Sequence, residues 1–253
     1  MTTVLKLGGS VVTEKDEPES VDEASLARAA DAIVDAGVSD LVVVHGGGSF
    51  GHYHAATHGV STTEGTRDAT AVADVHGAMK RLNRCVVDAL LSRDVPAVPV
   101  HPLSLCARDD DGALSLPTES VETLLGEGFV PVLHGDLVGH AGAGATVVSG
   151  DELVTALAAR TGADRVGMCS TVPGVLDADG EVVARIESFE AVADALGGSE
   201  STDVTGGMAA KVRSLLDLGS TAFVFGPSEL DAFLAGDDVG TRIEGRRRSE
   251  GES

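Results

Sequence analysis

Residues 41–52 read LVVVHGGGSFGH, and this stretch decides the fold. Four apolar residues indicate a buried strand that leads straight into three glycines, and His52 closes the loop. Glycines let backbone N–H groups approach an anion, and a loop that leads into a helix N-terminus adds favourable partial charge. The pattern predicts a phosphate-binding loop.

The same pattern of a short strand followed by a glycine loop occurs near the start of the chain. Val4-Leu5-Lys6-Leu7 indicates a short strand, and Gly8-Gly9-Ser10 indicates the loop behind it. Two such loops predict two phosphates. The chain has only four lysines, and three of them lie beside glycine-rich segments, namely Lys6, Lys15 and Lys211. Lys80 is predicted to be solvated on the polar face of a long helix.

The alternation of strands and helices predicts an α/β fold. Strands are predicted at Val4 to Leu7, Asp40 to Val44, Val95 to Val100, Val130 to Leu133, Arg165 to Cys169 and Ala222 to Phe225. Helices are predicted at Val21 to Ala36, Arg67 to Leu91, Asp151 to Arg160, Ser188 to Ala195 and Met208 to Leu218. Valine-rich strands without alternating polarity are typical of a mostly parallel sheet that helices cover on both faces.

Two β-hairpins are predicted to interrupt this alternation. They span Leu103 to Leu116, with a turn at residues 109–112, and Leu137 to Val148, with a turn around Gly142. Neither resembles a linker, so we expect one domain over residues 1–245 and a frayed tail over residues 246–253.

Length and composition limit the possible classes of protein. The chain has 253 residues, of which 43% are hydrophobic, so it can bury a full core. No run approaches the ~18 apolar residues of a membrane span, and no signal-peptide pattern precedes the first strand, so we expect a cytoplasmic protein. The three cysteines, Cys85, Cys106 and Cys169, are too widely spaced to indicate disulfides or a zinc knuckle.

The charge is strongly negative. The 40 acidic and 18 basic residues give a net charge of −22, which repels nucleic acid and anionic membranes. We therefore expect neither as a partner. Abundant acid, few lysines and few aromatic residues indicate a protein adapted to high salt.

Other chemistries fit the residues less well. Gly46-x-Gly48-x-x-Gly51 matches the dinucleotide-binding pattern, but the acidic residues about 20 positions later fall within a predicted helix. No P-loop motif occurs. His52, His54 and His58 lack a completing ligand, and their spacing fits neither a strand nor a helix face well, so no residue is expected to bind a metal.

Six segments together resemble the amino acid kinase superfamily and, within it, the archaeal isopentenyl phosphate kinases. They cover nearly the whole chain in the family's order, and the segment GGGSFGH is specific to this subgroup. The segments are Lys6–Ser10, His45–His52, Pro131–Asp136, Ser149–Glu152, Val172–Asp177 and Asp203–Lys211. The resemblance implies a three-layer αβα sandwich, a homodimer, and transfer of the γ-phosphoryl group of ATP, with Mg²⁺, to isopentenyl phosphate.

The resemblance also implies roles for individual residues. The N-terminal half would bind the acceptor and the C-terminal half the nucleotide. Lys6 and Lys15 would neutralise the transferring group, Asp151 would orient lysines, and Gly47, Gly150 and His52 would lie against the acceptor. The ATP-binding residues would be Lys6, Gly8, Gly9, Ser10, Gly48, Asp177, Gly207 and Lys211. Asp136 would either support the site or cap a helix.

The acceptor tail would be a short apolar chain. Candidate wall residues on the helix that follows the glycine loop are Val72, Val75, Met79 and Val86. Periodicity alone cannot separate a pocket wall from the core. Two rival functions stay open, namely a sibling kinase for another small acceptor such as fosfomycin, and a nucleotide sensor without catalysis.

Overall fold

The computed structural model describes residues 1–37, 39–193, 196 and 207–245. Most predicted strands are confirmed to within three residues at each end. The strands are β1 Thr3–Leu7, β2 Leu41–His45, β3 Ala97–Pro99, β4 Ala107–Arg108, β5 Leu114–Ser115, β6 Val130–His134, β7 Asp136–His140, β8 Gly144–Val148, β9 Arg165–Cys169, β10 Arg185–Ile186, β11 Thr221–Phe225 and β12 Thr241–Glu244.

The helices include several that the sequence patterns did not indicate. They are α1 Gly9–Val12, α2 Glu23–Ala36, α3 Gly48–Thr57, α4 Ala69–Leu91, α5 Pro102–Leu105, α6 Glu119–Gly126, α7 Gly150–Thr161, α8 Gly207–Leu216 and α9 Leu230–Ala235. The helix expected from Ser188 to Ala195 appears as a 3₁₀ turn at Phe189–Ala191, and residues 194 and 195 lie outside the described part of the chain.

Within the described residues the strands form two sheets. The larger has the order β10-β12-β11-β9-β1-β2-β6-β3, and only the β11–β12 pair is antiparallel. Its central strands are buried on both faces, which explains why they show no alternating polarity. Leu5 and Val43 face a core that α2, α4 and α9 cover, whereas Val4 and Val42 face one that α6, α7 and α8 cover. The predicted three-layer αβα sandwich is confirmed.

The smaller sheet has the order β5-β4-β7-β8. The predicted hairpin of residues 137–148 is confirmed as β7 and β8. The predicted hairpin of residues 103–116 is confirmed as the antiparallel pair of β4 and β5, but residues 103–105 at its start belong to α5, because Pro102 favours the first turn of a helix. Its turn is confirmed, since Asp109 Oδ1 accepts hydrogen bonds from the backbone N–H groups of Asp111 and Ala113.

The parallel strands place the two glycine loops side by side. β1 and β2 pair in register, with Leu7 opposite His45, so that Gly8 and Gly46 leave the sheet at neighbouring points. The ends of β6 and β9 flank them. Ligands of open α/β sheets bind outside the carboxyl ends of the strands, and this edge is where the predicted residues gather.

Candidate active site

A cavity of about 740 Å³ opens at the carboxyl ends of β1, β2, β6 and β9. This volume lies within the range of sites that hold small ligands and cofactors. It brings together eleven of the thirteen predicted site residues: Lys6, Gly8, Gly9, Ser10, Lys15, Gly47, His52, Gly150, Asp151, Gly207 and Lys211. These residues are spread over more than 200 positions of the chain, so their convergence is a property of the fold.

The two glycine loops touch backbone to backbone. A Cβ atom on Gly9 would lie 2.3 Å from Gly48 N, and one on Gly46 would lie 2.5 Å from Gly9 N. Thr13 ties the loops further, because its hydroxyl donates to Gly9 O at 2.9 Å and accepts from Ser49 N at 3.0 Å. Such an approach leaves no room for side chains, so the glycines fix the distance between the loops. Gly48 lies beneath the cavity surface, where it makes this contact.

Besides the four-residue α1, three longer helices of the described residues begin at the cavity. α3 starts beside Gly47, α7 starts at Gly150 and α8 starts at Gly207. The N-terminus of a helix carries a partial positive charge and free N–H groups, so it favours anions. The N-terminus of α7 is fixed by a capping box in which Ser149 and Glu152 exchange hydrogen bonds with each other's backbone N–H group. The three N-termini together form an anion-binding wall.

Asp151 stands between two lysines. Its Oδ1 lies 2.5 Å from Lys6 Nζ, and its Oδ2 lies 3.8 Å from Lys211 Nζ. Burial raises the pKa of the Asp151 carboxyl, but the charges and hydrogen bonds of the two lysines outweigh burial and leave its pKa below the usual value. The carboxylate therefore stays ionised and holds both ammonium groups at the cavity.

Lys15 lies on the loop between α1 and α2, where it is exposed and lines the cavity. No carboxylate of the described residues pairs with it, although its sequence neighbours are acidic. Glu19 of the same loop turns away instead, and its Oε1 lies 2.5 Å from both Arg81 and His54. Hydrogen bonds from Arg81 and then His54 lower the pKa of the Glu19 carboxyl. The acidic loop is thereby anchored to α3 and α4, and the Lys15 ammonium is left for a ligand.

His52 lies within α3, one turn after Gly48, because the helix begins earlier than the loop pattern suggested. His52 and His54 both lie on α3, but positions two apart do not share a helix face, and only His52 lines the cavity. His54 pairs with Glu19, and His58, at the end of the helix, pairs with Asp74 at 3.1 Å. Among the described residues no cluster of three metal-ligand side chains occurs.

Asp177 is placed away from the cavity. Its Oδ1 accepts hydrogen bonds from the backbone N–H groups of Asp179 and Glu181, both at 2.9 Å, and so closes a turn. Nearby Thr171 and Val172 line the cavity instead, directly after β9. Position after a parallel strand was the signal that could have found them. Residues 203–206, which belong to the predicted segment Asp203–Lys211, lie outside the described part of the chain.

Asp136 lines the cavity, and its carboxylate also interacts with the backbone N–H group of Leu103, in the first turn of α5. It begins β7, and its fully buried carboxylate accepts from His76 Nδ1 and from Leu137 N, both at 2.8 Å. Burial raises the pKa of the Asp136 carboxyl. The two carboxylates that line the cavity in the described part of the chain, Asp136 and Asp151, are thus already engaged by protein groups.

One side of the cavity is apolar. Val75 and Met79 of α4 line it, together with Val60 and Val147, whereas Val72 and Val86 do not. Val86 lies in the core between α2 and the sheet. A Cβ on Gly51 would lie 2.8 Å from Met79 Sδ, so this glycine lets α3 approach α4 and bring His52 next to the apolar side. The site can hold a ligand with an anionic head and a small hydrocarbon tail.

The chain is similar to several known proteins over most of its length. The model of the amino acid kinase family matches residues 1–221. An isopentenyl phosphate kinase of Haloferax volcanii is 67% identical, and the match covers 96% of this chain and 98% of that protein. One of Methanocaldococcus jannaschii is 33% identical over 96% of this chain and 99% of that protein. A crystal structure of an isopentenyl phosphate kinase has a TM-score of 0.83 at 30% identity, covering 96% of this chain and all of that one.

Proposed function

The chain belongs to the amino acid kinase family, and from this premise we propose that it transfers the γ-phosphoryl group of ATP to isopentenyl phosphate. The observation that carries the proposal is the cavity itself. Lysines and helix N-termini that favour two phosphates stand beside a small apolar compartment, in a chain closely similar to isopentenyl phosphate kinases.

The reaction forms a bond between an acceptor phosphate oxygen and the γ-phosphorus and breaks the bond from that phosphorus to the β,γ-bridging oxygen, which leaves with ADP. The acceptor oxygen is already anionic, so no base has to remove a proton from a hydroxyl. Catalysis then rests on alignment and on neutralisation of charge. Lys6 and Lys15, which both line the cavity, would neutralise the transferring group, and Asp151 would hold Lys6 in place.

We assign the two phosphate sites to the two loops. Gly8, Gly9, Ser10 and Gly48 would support the ATP phosphates, with Gly207 and Lys211 at the nucleotide end. Gly47, Gly150 and His52 would hold the acceptor phosphate next to the apolar side. Asp177, which does not line the cavity, would act only through the turn that it closes.

Mg²⁺ enters this scheme as part of the substrate Mg²⁺-ATP. Mg²⁺ keeps several waters and is commonly held by one or two carboxylates together with substrate phosphates. Among the described residues two carboxylates line the cavity, Asp136 and Asp151, and each is held by protein donors. This engagement favours a metal ion bound mainly by the phosphates of ATP.

Three properties of the whole protein complete the proposal. We place it in the cytoplasm as a homodimer adapted to high salt. The net charge of −22 supports the salt adaptation, because it needs counter-ions for screening. None of the described helices is long and apolar enough to cross a membrane.

The test is ADP release in a coupled assay with Mg²⁺-ATP at high KCl. Isopentenyl phosphate is compared with UMP, N-acetylglutamate and fosfomycin at equal concentrations, and selective turnover of isopentenyl phosphate is expected. Preference for another acceptor would leave a kinase but refute the substrate, and ATP binding without turnover of any acceptor would favour a sensor.

A matched pair of variants links turnover to the cavity. Lys15 and Lys80 are both exposed, but only Lys15 lines the cavity. Removal of one preorganised charged donor costs roughly 10²-fold to 10³-fold in rate. Lys15→Met is therefore expected to lower kcat by about 10²-fold, and Lys80→Met to leave it unchanged. Equal rates in the two variants would remove Lys15 from the mechanism.

A further inference from the structure

The dipeptide His-Gly occurs at the ends of two adjacent strands. His45-Gly46 ends β2 and His134-Gly135 ends β6, and the two histidines are register partners in the parallel β2–β6 pair. Both rings are fully buried, and they stack with centroids 5.6 Å apart. Neither ring lines the cavity, yet both lie directly beneath its glycine loops.

Each ring contacts the carbonyl of the glycine that follows it. His45 Nδ1 lies 3.0 Å from Gly46 O, and His134 Nδ1 lies 2.9 Å from Gly135 O. A carbonyl oxygen can only accept, so each Nδ1 carries the hydrogen and donates it. The same bond is thus made twice, on neighbouring strands, by the same pair of residue types.

This bond fixes the orientation of the next peptide group. In a trans peptide the N–H points opposite to the C=O, and the described residues contain no cis peptide. With Gly46 O drawn toward the His45 ring, the Gly47 N–H points away from the ring. Gly47 lines the cavity, and its N–H has no acceptor among the described residues.

The remaining ring contacts agree with neutral rings that donate from Nδ1. His134 Nε2 accepts from His101 Nδ1 at 2.9 Å. His45 Nε2 lies 3.1 Å from Asn83 Oδ1, and the buried Nδ2 of the same amide has no partner. An amide that turns its nitrogen to His45 Nε2 satisfies both groups. Burial lowers the pKa of His45 to about 4, so its ring stays neutral at ordinary pH.

We propose that His45 is a positioning residue that orients the Gly47 N–H toward the acceptor phosphate, with His134 serving the Gly135 peptide in the same way. This inference rests on the proposed function, since it assigns a phosphate to the cavity. The His45–Gly46 and His134–Gly135 pairs lie next to each other, because Gly135 N donates to His45 O at 3.0 Å and so continues the pairing of the two strands.

Two variants with side chains of the same shape test the hydrogen-bond donor of His45 separately from the space that the side chain fills. The amide nitrogen of asparagine is bonded to Cγ, as Nδ1 of histidine is, and leucine has a methyl group in that position. His45→Asn and His45→Leu leave similar space but differ in the donor. Loss of a hydrogen bond to a charged group is worth about tenfold or more in affinity. We expect His45→Leu to raise the KM and the calorimetric Kd for isopentenyl phosphate by about tenfold.

The expected pattern separates positioning from stability. His45→Asn is expected to stay within about threefold of wild type, and the KM for ATP is expected to change little in either variant. A merely structural role would lower the midpoint of unfolding in both variants and leave the acceptor KM equal. Equal acceptor KM values in His45→Asn and His45→Leu would overturn the inference, whereas a wild type without isopentenyl phosphate turnover would refute the proposed function instead.

A measurement on the unaltered protein covers the case in which the variants fail to fold. In a titration with isopentenyl phosphate, followed by ¹⁵N–¹H NMR at high KCl, the Gly47 amide is expected to show one of the largest shifts. The Gly139 amide, which lies in β7 away from the cavity, serves as control. A Gly47 resonance that moves no more than that of Gly139 would overturn the inference.

Discussion

Gly9→Ala tests the idea that two glycine loops set the distance between donor and acceptor. The added Cβ would lie 2.3 Å from Gly48 N and 2.6 Å from Gly48 Cα, both of which are backbone atoms. Carbon contacts are most favourable at about 3.5–4.0 Å, so the loops have to separate by about 1 Å. No side chain can rotate away to relieve this contact.

The expected cost follows from this displacement. A misplacement of about 1 Å in a site that works by alignment can cost about 10²-fold in rate, or about 2.7 kcal/mol in the barrier. We expect kcat of Gly9→Ala to fall by about that factor in the coupled ADP assay at saturating Mg²⁺-ATP and isopentenyl phosphate. Substrate affinity is expected to fall less, because each loop keeps its own N–H groups.

Gly126→Ala is the matched control. Gly126 also lies in a helix, α6, and a Cβ there would meet no atom within 4 Å. This variant is expected to keep full activity and to gain about 0.5–1 kcal/mol in free energy of unfolding. If kcat of folded Gly9→Ala stayed within threefold of wild type, the loops would not set the reaction distance and the reasoning would fail.

Four further outcomes are expected. His52→Ala is expected to raise the KM for isopentenyl phosphate about tenfold and to lower kcat, with the KM for ATP unchanged. The control is His58→Ala, because the His58 side chain pairs with Asp74 away from the cavity. Normal kinetics in His52→Ala would remove His52 from the site. Asp151→Asn is expected to be less stable than wild type at neutral pH, because the pKa of the Asp151 carboxyl is lowered in the folded state. The greater free energy of unfolding of wild type is present above the unfolded pKa of about 3.8 and disappears as the pH falls through the lower folded pKa. A difference in urea unfolding that does not depend on pH would contradict the ion pairs. Glu19→Gln is expected to lower kcat severalfold by releasing the loop that carries Lys15. The free energy of unfolding is expected to fall by at most about 1 kcal/mol, because the ion pairs of Glu19 are partly exposed. The control is Glu17→Gln, at an exposed position in the same loop, and equal rates in the two variants would refute the anchoring role of Glu19. Dialysis into dilute buffer is expected to inactivate the enzyme and lower its unfolding midpoint, because unscreened acidic groups repel one another; full activity there would refute salt adaptation.

The fold was predictable wherever one local pattern decided the structure. The central strands β1, β2 and β9 are buried on both faces and therefore appear in the sequence as plain apolar runs. Strand β12, which lies between β10 and β11, was missed, although Thr241 and Ile243 are buried and alternate with Arg242 and Glu244. That alternation was a usable signal, but four residues next to a charged tail give it little weight.

The residues that hold the site in place were not predictable in the same way. Glu19 meets Arg81 across 62 positions, and Arg108 meets Glu152 across 44. Nothing in the local sequence of Glu19 distinguishes it from the acidic residues beside it. Only the packing of α3 against α4 brings its partners together. Pairs of this kind depend on the finished tertiary structure, whereas glycine loops depend on a few adjacent residues.

The lysine distribution shows how a strongly acidic chain can bind two anions. A net charge of −22 repels phosphates at long range, but high salt screens that repulsion within a few ångströms, while contacts inside the cavity are screened much less. Three of the four lysines line the cavity, and arginine supplies the other fourteen basic residues. A lysine ammonium is a compact point charge, whereas the arginine guanidinium is a rigid planar fork. Lys6 Nζ contacts Asp151 next to Gly150. A Cβ atom added to Gly150 would lie 3.2 Å from Lys6 Cε, so the space around the lysine side chain is already narrow. A broader guanidinium group in its place would displace the loops that the glycines hold together.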